Sequence, residues 1–439
     1  MAEPARAKSD RPKSDAAKSD GPNSDRSKSD GAEATNGVVI CADFGSTFTK
    51  TALVDLASGR ILAAASHPTT IDTDVLDGFD ACRAELMRTD GRAEYAEVLA
   101  CSSAGGGLRI AVIGNEELVT AEAGRRVALS SGGKVVAVLA ASRGDSIELT
   151  ESAPDVVLLV GGTDGGNAEP LLRCATALAA SGWTGPVVFA GNAAAADQVG
   201  SILAGLPVVI AGNVVPRIGV LAPESARAAI REMFLRHVIG GKNLSARADF
   251  TAMVRGATPD VVLTGVELLA RGLDEAHPGA GDVVVVDIGG ATTDVHSVIE
   301  LDPEEANLSR EVVATSAVTR TVEGDLGMRW SAASTVAAAA GQAEDLGVDL
   351  GGYAEEAEQL HLHPDALPAT AAEADRDEAI AQAAAGIALR RHAGRARVVV
   401  SPEGRVVERT GKDLREIKVL VGSGGILRNG RPGVEQRVF

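Results

Sequence analysis

From Gly37 onward, short runs of Val, Ile, Leu and Ala alternate with longer stretches of helical periodicity and with Gly-rich turns. The runs predict strands over 38–43, 51–55, 61–66, 98–102, 108–113, 134–139, 155–160, 186–190, 207–211, 282–287, 294–299 and 417–421. Between them the pattern predicts helices near 75–88, 116–130, 168–181, 193–203, 222–239, 260–271, 323–340 and 370–391. Strands that alternate with helices in this way make an α/β fold with buried, largely parallel strands and some hairpins. Residues 1–36 follow another rule: Lys-Ser-Asp recurs at Lys8, Lys13, Lys18 and Lys28 with almost no apolar side chain between. Such a segment buries too little surface to offset its ordering entropy, and it is predicted to be a disordered tail.

Length and composition sharpen this picture. A chain of 439 residues exceeds what one core usually supports, so two or more domains, or one duplicated domain with a cleft, are expected. Aromatic residues make up 3% of the chain, too few for a stacking surface that grips nucleic acid. The net charge is -18, and residues 1–36 add nothing to it, because seven Lys and Arg there cancel seven Asp and Glu. An acidic body argues against nucleic acid and anionic membrane as partners. Cys41, Cys82, Cys101 and Cys174 form no C-x-x-C pair, so neither a disulfide framework nor a zinc site is signalled. With no apolar run long enough to span a bilayer and no signal-peptide stretch, a cytoplasmic protein is expected.

An internal repeat carries the chemistry. Residues 38–50 read VVICADFGSTFTK and residues 283–294 read VVVVDIGGATTD. Each is an apolar strand ending in Asp, a turn of Gly with small or hydroxyl residues, and a returning strand. Two copies about one domain length apart imply duplicated halves that face each other. Phosphate binding at such a turn needs backbone N–H groups without a Cβ in the way, which Gly45, Gly289 and Gly290 supply. The hydroxyls of Ser46, Thr47 and Thr49 on one side, and Thr292 and Thr293 on the other, can donate to phosphate oxygens. Asp43 and Asp287 repel phosphate, so their natural partner is Mg²⁺, which binds through one or two carboxylates together with substrate phosphates. Lys50 either approaches phosphate or stays solvated. A third turn, Gly422-Ser423-Gly424-Gly425, follows the strand over 417–421 and fits a place where backbone passes close to adenosine or the α-phosphate. Neither a P-loop signature nor a G-x-G-x-x-G after a strand occurs.

The motifs D43-F-G-S-T, D287-I-G-G-A-T-T-D294 and V421-G-S-G-G resemble, in this order, the two phosphate motifs and the adenosine motif of the actin, sugar-kinase and heat-shock chaperone superfamily. A257-T-P-D-V-V resembles the segment connecting its halves. The stretches 43–50, 102–109, 159–167, 287–297 and T321-V-E-G-D-L-G-M-R together resemble the glutamate mutase accessory family called MutL or GlmL, over roughly residues 38–430. The resemblance implies a duplicated actin-like (ribonuclease H-like) fold with a central nucleotide cleft: a first half over 37–280 with an inserted α/β subdomain, and a second over 281–439. It implies ATP and Mg²⁺ as ligands. It also implies an ATPase that acts on the subunits of an adenosylcobalamin-dependent mutase and reactivates or maintains them; a homo-oligomer is compatible with it. By likeness to chaperone ATPases, Asp294 orients an attacking water or holds Mg²⁺-bound water; a plain strand carboxylate is the alternative. Family members continue beyond the adenosine turn, so a short C-terminus is expected, with Val438 and Phe439 uncovered.

Other features read more simply. The segment 161–167, Gly-Gly-Thr-Asp-Gly-Gly-Asn, is dense in Gly, which favours close backbone approach, and its ligand is open. His361 and His363 lack neighbouring ligands at metal spacing and read as an exposed loop. Glu323 and Asp325 read as favourable charges at a helix start. Two rival functions stay open: a small-molecule kinase of the same superfamily, for which no motif supplies the base, and a scaffold whose shape is set by nucleotide.

Overall fold

The computed structural model describes residues 37–115, 117–140, 147–300, 316–401, 404–410 and 412–439. The expected N-terminal tail lies outside them. The chain is a mixed α/β structure whose main strands form three sheets.

The first sheet begins with the hairpin β1 (Val38–Phe44) and β2 (Phe48–Asp55), paired antiparallel from Val38 opposite Asp55 to Phe44 opposite Thr49. β3 (Ile61–Pro68) continues the meander, and β4 (Glu97–Ser102) runs parallel to β1 on its other side. Between them α1 (Val75–Thr89) starts at Asp74, whose carboxylate accepts from the Leu76 N–H at 2.8 Å. Its apolar stripe, Val75, Leu76, Phe79, Cys82 and Leu86, recurs at helical spacing and is fully covered by the sheet.

The second sheet is an insertion of parallel strands: β5 (Leu108–Gly114), β6 (Gly133–Ala140), β7 (Val156–Leu159), β8 (Val187–Phe189) and β9 (Val208–Ile210), in the order β6-β5-β7-β8-β9. The helices α2 (Glu122–Ser130), α3 (Glu169–Ala180), α4 (Ala196–Ile202) and α5 (Glu224–Met233) lie between and after these strands. Successive residues of β7 are buried in separate clusters, Val156 and Leu158 in one and Val157 and Leu159 in another, which is why its sequence is apolar throughout. The chain then returns through α6 (Ala248–Met253) to β10 (Val254–Ala257), which completes the first sheet in the order β10-β4-β1-β2-β3.

α7 (Thr258–Arg271) starts where β10 ends, and its residues Leu263, Val266 and Ala270 pack on the third sheet. After a small ribbon, β11 (Gly272–Asp274) and β12 (His277–Pro278), that sheet forms from β13 (Val283–Ile288), β14 (Thr293–Val298) and β15 (Val318–Glu323). A second ribbon, β16 (Arg395–Ser401) and β17 (Gly404–Thr410), precedes β18 (Val419–Gly424). The order is β15-β14-β13-β18, an antiparallel meander with β18 parallel to β13. The strands β3-β2-β1-β4 of the first sheet have the same order and the same relative directions. α7 covers one face of the third sheet, and the Ala-rich helix Ala371–His392 packs on the other.

Three expectations are corrected. The predicted helix over 323–340 is instead β15 ending at Glu323, a turn, and a helix only at Ala332–Ala339. The β-branched residues Val318, Thr319, Thr321 and Val322 favour the strand, and Gly324 and Gly327 separate it from the helix. His361 sits on the helix Ala354–Leu362 and not in a loop, with its ring 2.8 Å from the Trp330 carbonyl oxygen. Of the two C-terminal residues expected to be uncovered, Phe439 is exposed and Val438 is not. Phe439 lies against Gly422, and Arg431 and Arg437 both donate to Glu378 at 2.6–3.0 Å, clasping the last helix to Ala371–His392.

Candidate functional site

The two hairpins close with the same turn. In the first, the Gly45 N–H donates to the Phe48 carbonyl at 3.1 Å, and a Cβ on Gly45 would lie 2.6 Å from that oxygen. In the second, the Gly289 N–H donates to the Thr292 carbonyl at 2.9 Å, and a Cβ there would lie 2.9 Å from it. Only glycine closes either turn without moving the strand. Among the described residues no turn or loop hydrogen bond takes the backbone N–H of Ser46, Thr47, Gly290 or Ala291. Ser46 and Thr47 are exposed, and Thr292 is partly so.

Not every expected hydroxyl faces outward. Thr49 and Thr293 occupy the same place in the two hairpins and are both fully buried. The Thr293 hydroxyl donates to the Leu326 carbonyl at 3.0 Å, and Thr49 Oγ1 lies 3.4 Å from Thr69 Oγ1. Their side chains serve the fold, because the pleat turns every second residue inward.

The acids at the strand ends have different neighbours. Asp43 stands opposite the exposed Lys50 and accepts from the Thr258 hydroxyl at 2.7 Å, with Cys101 Sγ at 3.6 Å. Thr258 is the first residue of α7, so the connecting helix touches the first hairpin's acid directly. Burial and the Asp43 charge push the Cys101 thiol up to about 12, so it stays protonated. Asp287 stands opposite a second acid, Asp294, in register. Burial raises the pKa of Asp294, and the facing Asp287 raises it further. Arg320 on β15 opposes both effects with a 3.0 Å bond to its carboxylate. Asp43 and Asp287 were legible in the sequence. Thr258 was legible only as part of the connecting segment 257–262, and its bond to Asp43, like the contacts of Cys101 and Arg320, was not, because they span 215, 58 and 26 positions.

The segment after β15 folds over the second turn. The Met328 and Arg329 N–H groups donate to the Gly289 and Gly290 carbonyls at 3.0 and 2.8 Å, and the Trp330 ring leaves no room for a Cβ on Gly290. Glu323 and Asp325 do not begin a helix; both bind Arg391, each at 2.7 Å. In the third turn, Asp287 and Ile288 pair with Ser423 and Gly424 of β18. Gly424 has φ 111°, and a Cβ there would lie 2.2 Å from the Ile288 carbonyl oxygen. Gly422, Ser423 and Gly425 are exposed, and a Cβ on Gly422 would meet Leu427 and Phe439. The third turn thus abuts the second through a close backbone contact that only glycine allows.

Among the described residues no group of three or more His, Cys, Asp or Glu forms a metal cluster, and no helix is long and apolar enough to cross a membrane. The chain resembles known proteins along most of its length. It is 38% identical over 397 residues to Protein MutL of Clostridium tetanomorphum, covering 88% of this chain and 85% of that one. Among solved structures, a nucleotide-free acetone carboxylase overlaps 67% of this chain and 48% of its own, at 16% identity and a TM-score of 0.33. The ethanolamine utilization protein EutJ from Carboxydothermus hydrogenoformans overlaps 73% and 60%, at 11% identity and a TM-score of 0.19. Both structural overlaps are partial and loose. The sequence model of the MutL protein family matches residues 39–438, and with that span and that relative the chain belongs to the MutL family.

Proposed function

We propose that the protein binds Mg·ATP between the turns of its two hairpins, hydrolyses it, and serves in the cytoplasm as an accessory factor that reactivates an adenosylcobalamin-dependent mutase of the glutamate mutase type. The observation that carries the nucleotide reading is the repeated hairpin: the same Gly-closed turn with a strand-end Asp, in two sheets of the same strand order, joined by α7. The partner reading rests on membership of the MutL family.

The residues fit such a ligand. The N–H groups of Ser46, Thr47, Gly290 and Ala291 and the hydroxyls of Ser46, Thr47 and Thr292 would donate to phosphate oxygens. Asp43 and Asp287 would hold Mg²⁺, an ion that needs only one or two carboxylates because it keeps several waters and takes phosphate oxygens as well. When bound, the ion neutralises charge on the phosphates. Gly424 and Gly425 would let backbone approach the adenosine side. Asp294, whose proton affinity is raised, is suited to orient a water and accept its proton, with Arg320 fixing the carboxylate. Lys50 faces solvent beside Asp43 and would reach phosphate only from the open side.

The halves can act on a partner only if nucleotide binds their open and closed arrangements with different affinity, and phosphate contacts from Gly45 and Gly289 together would supply that difference. The test is a reactivation assay with an inactivated mutase of the glutamate mutase type, supplied with fresh cofactor. Recovery is expected with ATP. Recovery no greater with ATP than with a non-hydrolysable analogue would overturn the reading.

A further inference from the structure

Three neighbouring strands bring one acid, a thiol and a hydroxyl together. In the register of the first sheet, Asp43 of β1 stands opposite Cys101 of β4, and Cys101 stands opposite Gly256 of β10. Thr258 follows β10 directly, as the first residue of α7. Its hydroxyl does not cap that helix, whose N-cap residue is Ala257. It donates instead to Asp43 Oδ1 at 2.7 Å, and Cys101 Sγ lies 3.6 Å from the same oxygen. Among the described residues no hydrogen bond takes the other oxygen, Oδ2, which lies 3.8 Å from where a Cβ on Gly45 would stand and so faces the first turn.

Asp287 is held differently. Among the described residues no hydrogen bond or ion pair fixes its carboxylate. Asp43 is therefore a fixed acid with one free oxygen, and Asp287 is an adjustable acid with two. An oxygen that already accepts a short hydroxyl bond is a poor ligand, so Asp43 can offer a cation one oxygen in a set direction. That suits Mg²⁺, which demands near-octahedral geometry, better than Ca²⁺, whose ~6–8 oxygen ligands often include both oxygens of one carboxylate. Because α7 also packs on the third sheet, the aim of Asp43 is set by the helix that joins the two hairpin sheets.

We propose that Thr258, with Cys101 as a weaker second donor, is a positioning residue that holds Asp43 as a one-oxygen ligand and thereby makes the site prefer Mg²⁺ to Ca²⁺. This rests on the reading that Asp43 takes part in binding Mg·ATP. Thr258 and Cys101 act only through the carboxylate and need touch neither the nucleotide nor the ion.

The test is calorimetric titration of the full chain with Mg·ATP and, separately, with Ca·ATP. Wild type is expected to bind Mg·ATP the more tightly. Thr258→Val keeps the side chain's shape and removes the donor. It should weaken Mg·ATP binding by about three- to ten-fold, the effect of one lost hydrogen bond, while Ca·ATP binding holds or tightens. The preference for Mg²⁺ then falls by at least about three-fold, a change of ratio that misfolding does not produce. Thr258→Ser keeps the hydroxyl and should restore the wild-type preference. Cys101→Ala should lower it by less than Thr258→Val does, because a thiol is the weaker donor. A wild type that binds neither complex would overturn the nucleotide reading and this proposal with it. A wild type that binds ATP with no preference for Mg²⁺, or a preference unchanged in Thr258→Val, would overturn the positioning role alone.

Discussion

The two hairpins share a turn and differ in what stands behind it. Counting from Gly45 and Gly289, Lys50 of the first corresponds to Asp294 of the second, and Ala52 to His296. The first hairpin sets an acid opposite a solvated cation, a pair that costs little and is screened by water. The second sets two acids opposite each other and must bring Arg320 from the neighbouring strand to offset them. Like charges directly across a ladder are unfavourable, so the second hairpin is built under electrostatic tension that the first lacks. Similar turns have thus been given unlike chemical surroundings: a steady one beside Asp43, and one beside Asp294 where a proton is more readily held.

The largest effect of this difference should follow from Arg320→Met. It leaves Asp294 facing Asp287 with no buried counter-charge, and denaturant unfolding should show a loss of about 3–5 kcal/mol. A loss below about 1 kcal/mol would mean that the Arg320 pair does not hold the second hairpin together.

An intermediate effect lies in the pH dependence. His296 of the second hairpin and His392 behind it are both pushed down to about 3, mainly by burial, with the charges of Arg320 and Lys412 adding to it. With folded pKa values below the ordinary 6.5, the unfolded chain takes up protons first. Stability is therefore fully present above that pH and declines as pH falls through the window toward 3, by up to about 1.4 kcal/mol per pH unit for each histidine. His296→Phe should remove about half of the decline between about pH 6.5 and 5, where few carboxylates titrate. An unchanged slope would show that His296 is not held neutral.

The smallest effect belongs to the first hairpin. Lys50→Met should change stability by less than about 0.5 kcal/mol, because the side chain is exposed. A cost of 2 kcal/mol or more in the same unfolding measurement would make the two hairpins alike and erase the comparison.

Much of this was legible in the sequence because it is local. Apolar runs such as 283–288 and the Asp-Gly turns that follow them are contiguous, and each predicted strand from 38–43 to 417–421 is present within a few residues. The recurrence of the hairpin was readable for the same reason. What was missed is long-range or depends on facing direction. The side chains of Thr49 and Thr293 turn inward through the pleat, which residue type does not reveal. β15 was not read as a strand, and its last residue, Glu323, was taken into the helix predicted over 323–340; only pairing with β14 makes it a strand. Arg320 and Thr258 acquire their roles from sheet order and from the placement of α7. The burial of Val438 needed the Glu378 clasp, which lies 59 positions away from Arg437.

The central claim is that the two strand-end acids act together on one Mg·ATP. Calorimetry of Mg·ATP binding, with turnover measured on the same samples, tests it on wild type, Asp43→Asn and Asp287→Asn. Each single substitution should lower hydrolysis by about ten-fold or more through lost metal positioning. Unchanged affinity and turnover in both variants would contradict the account.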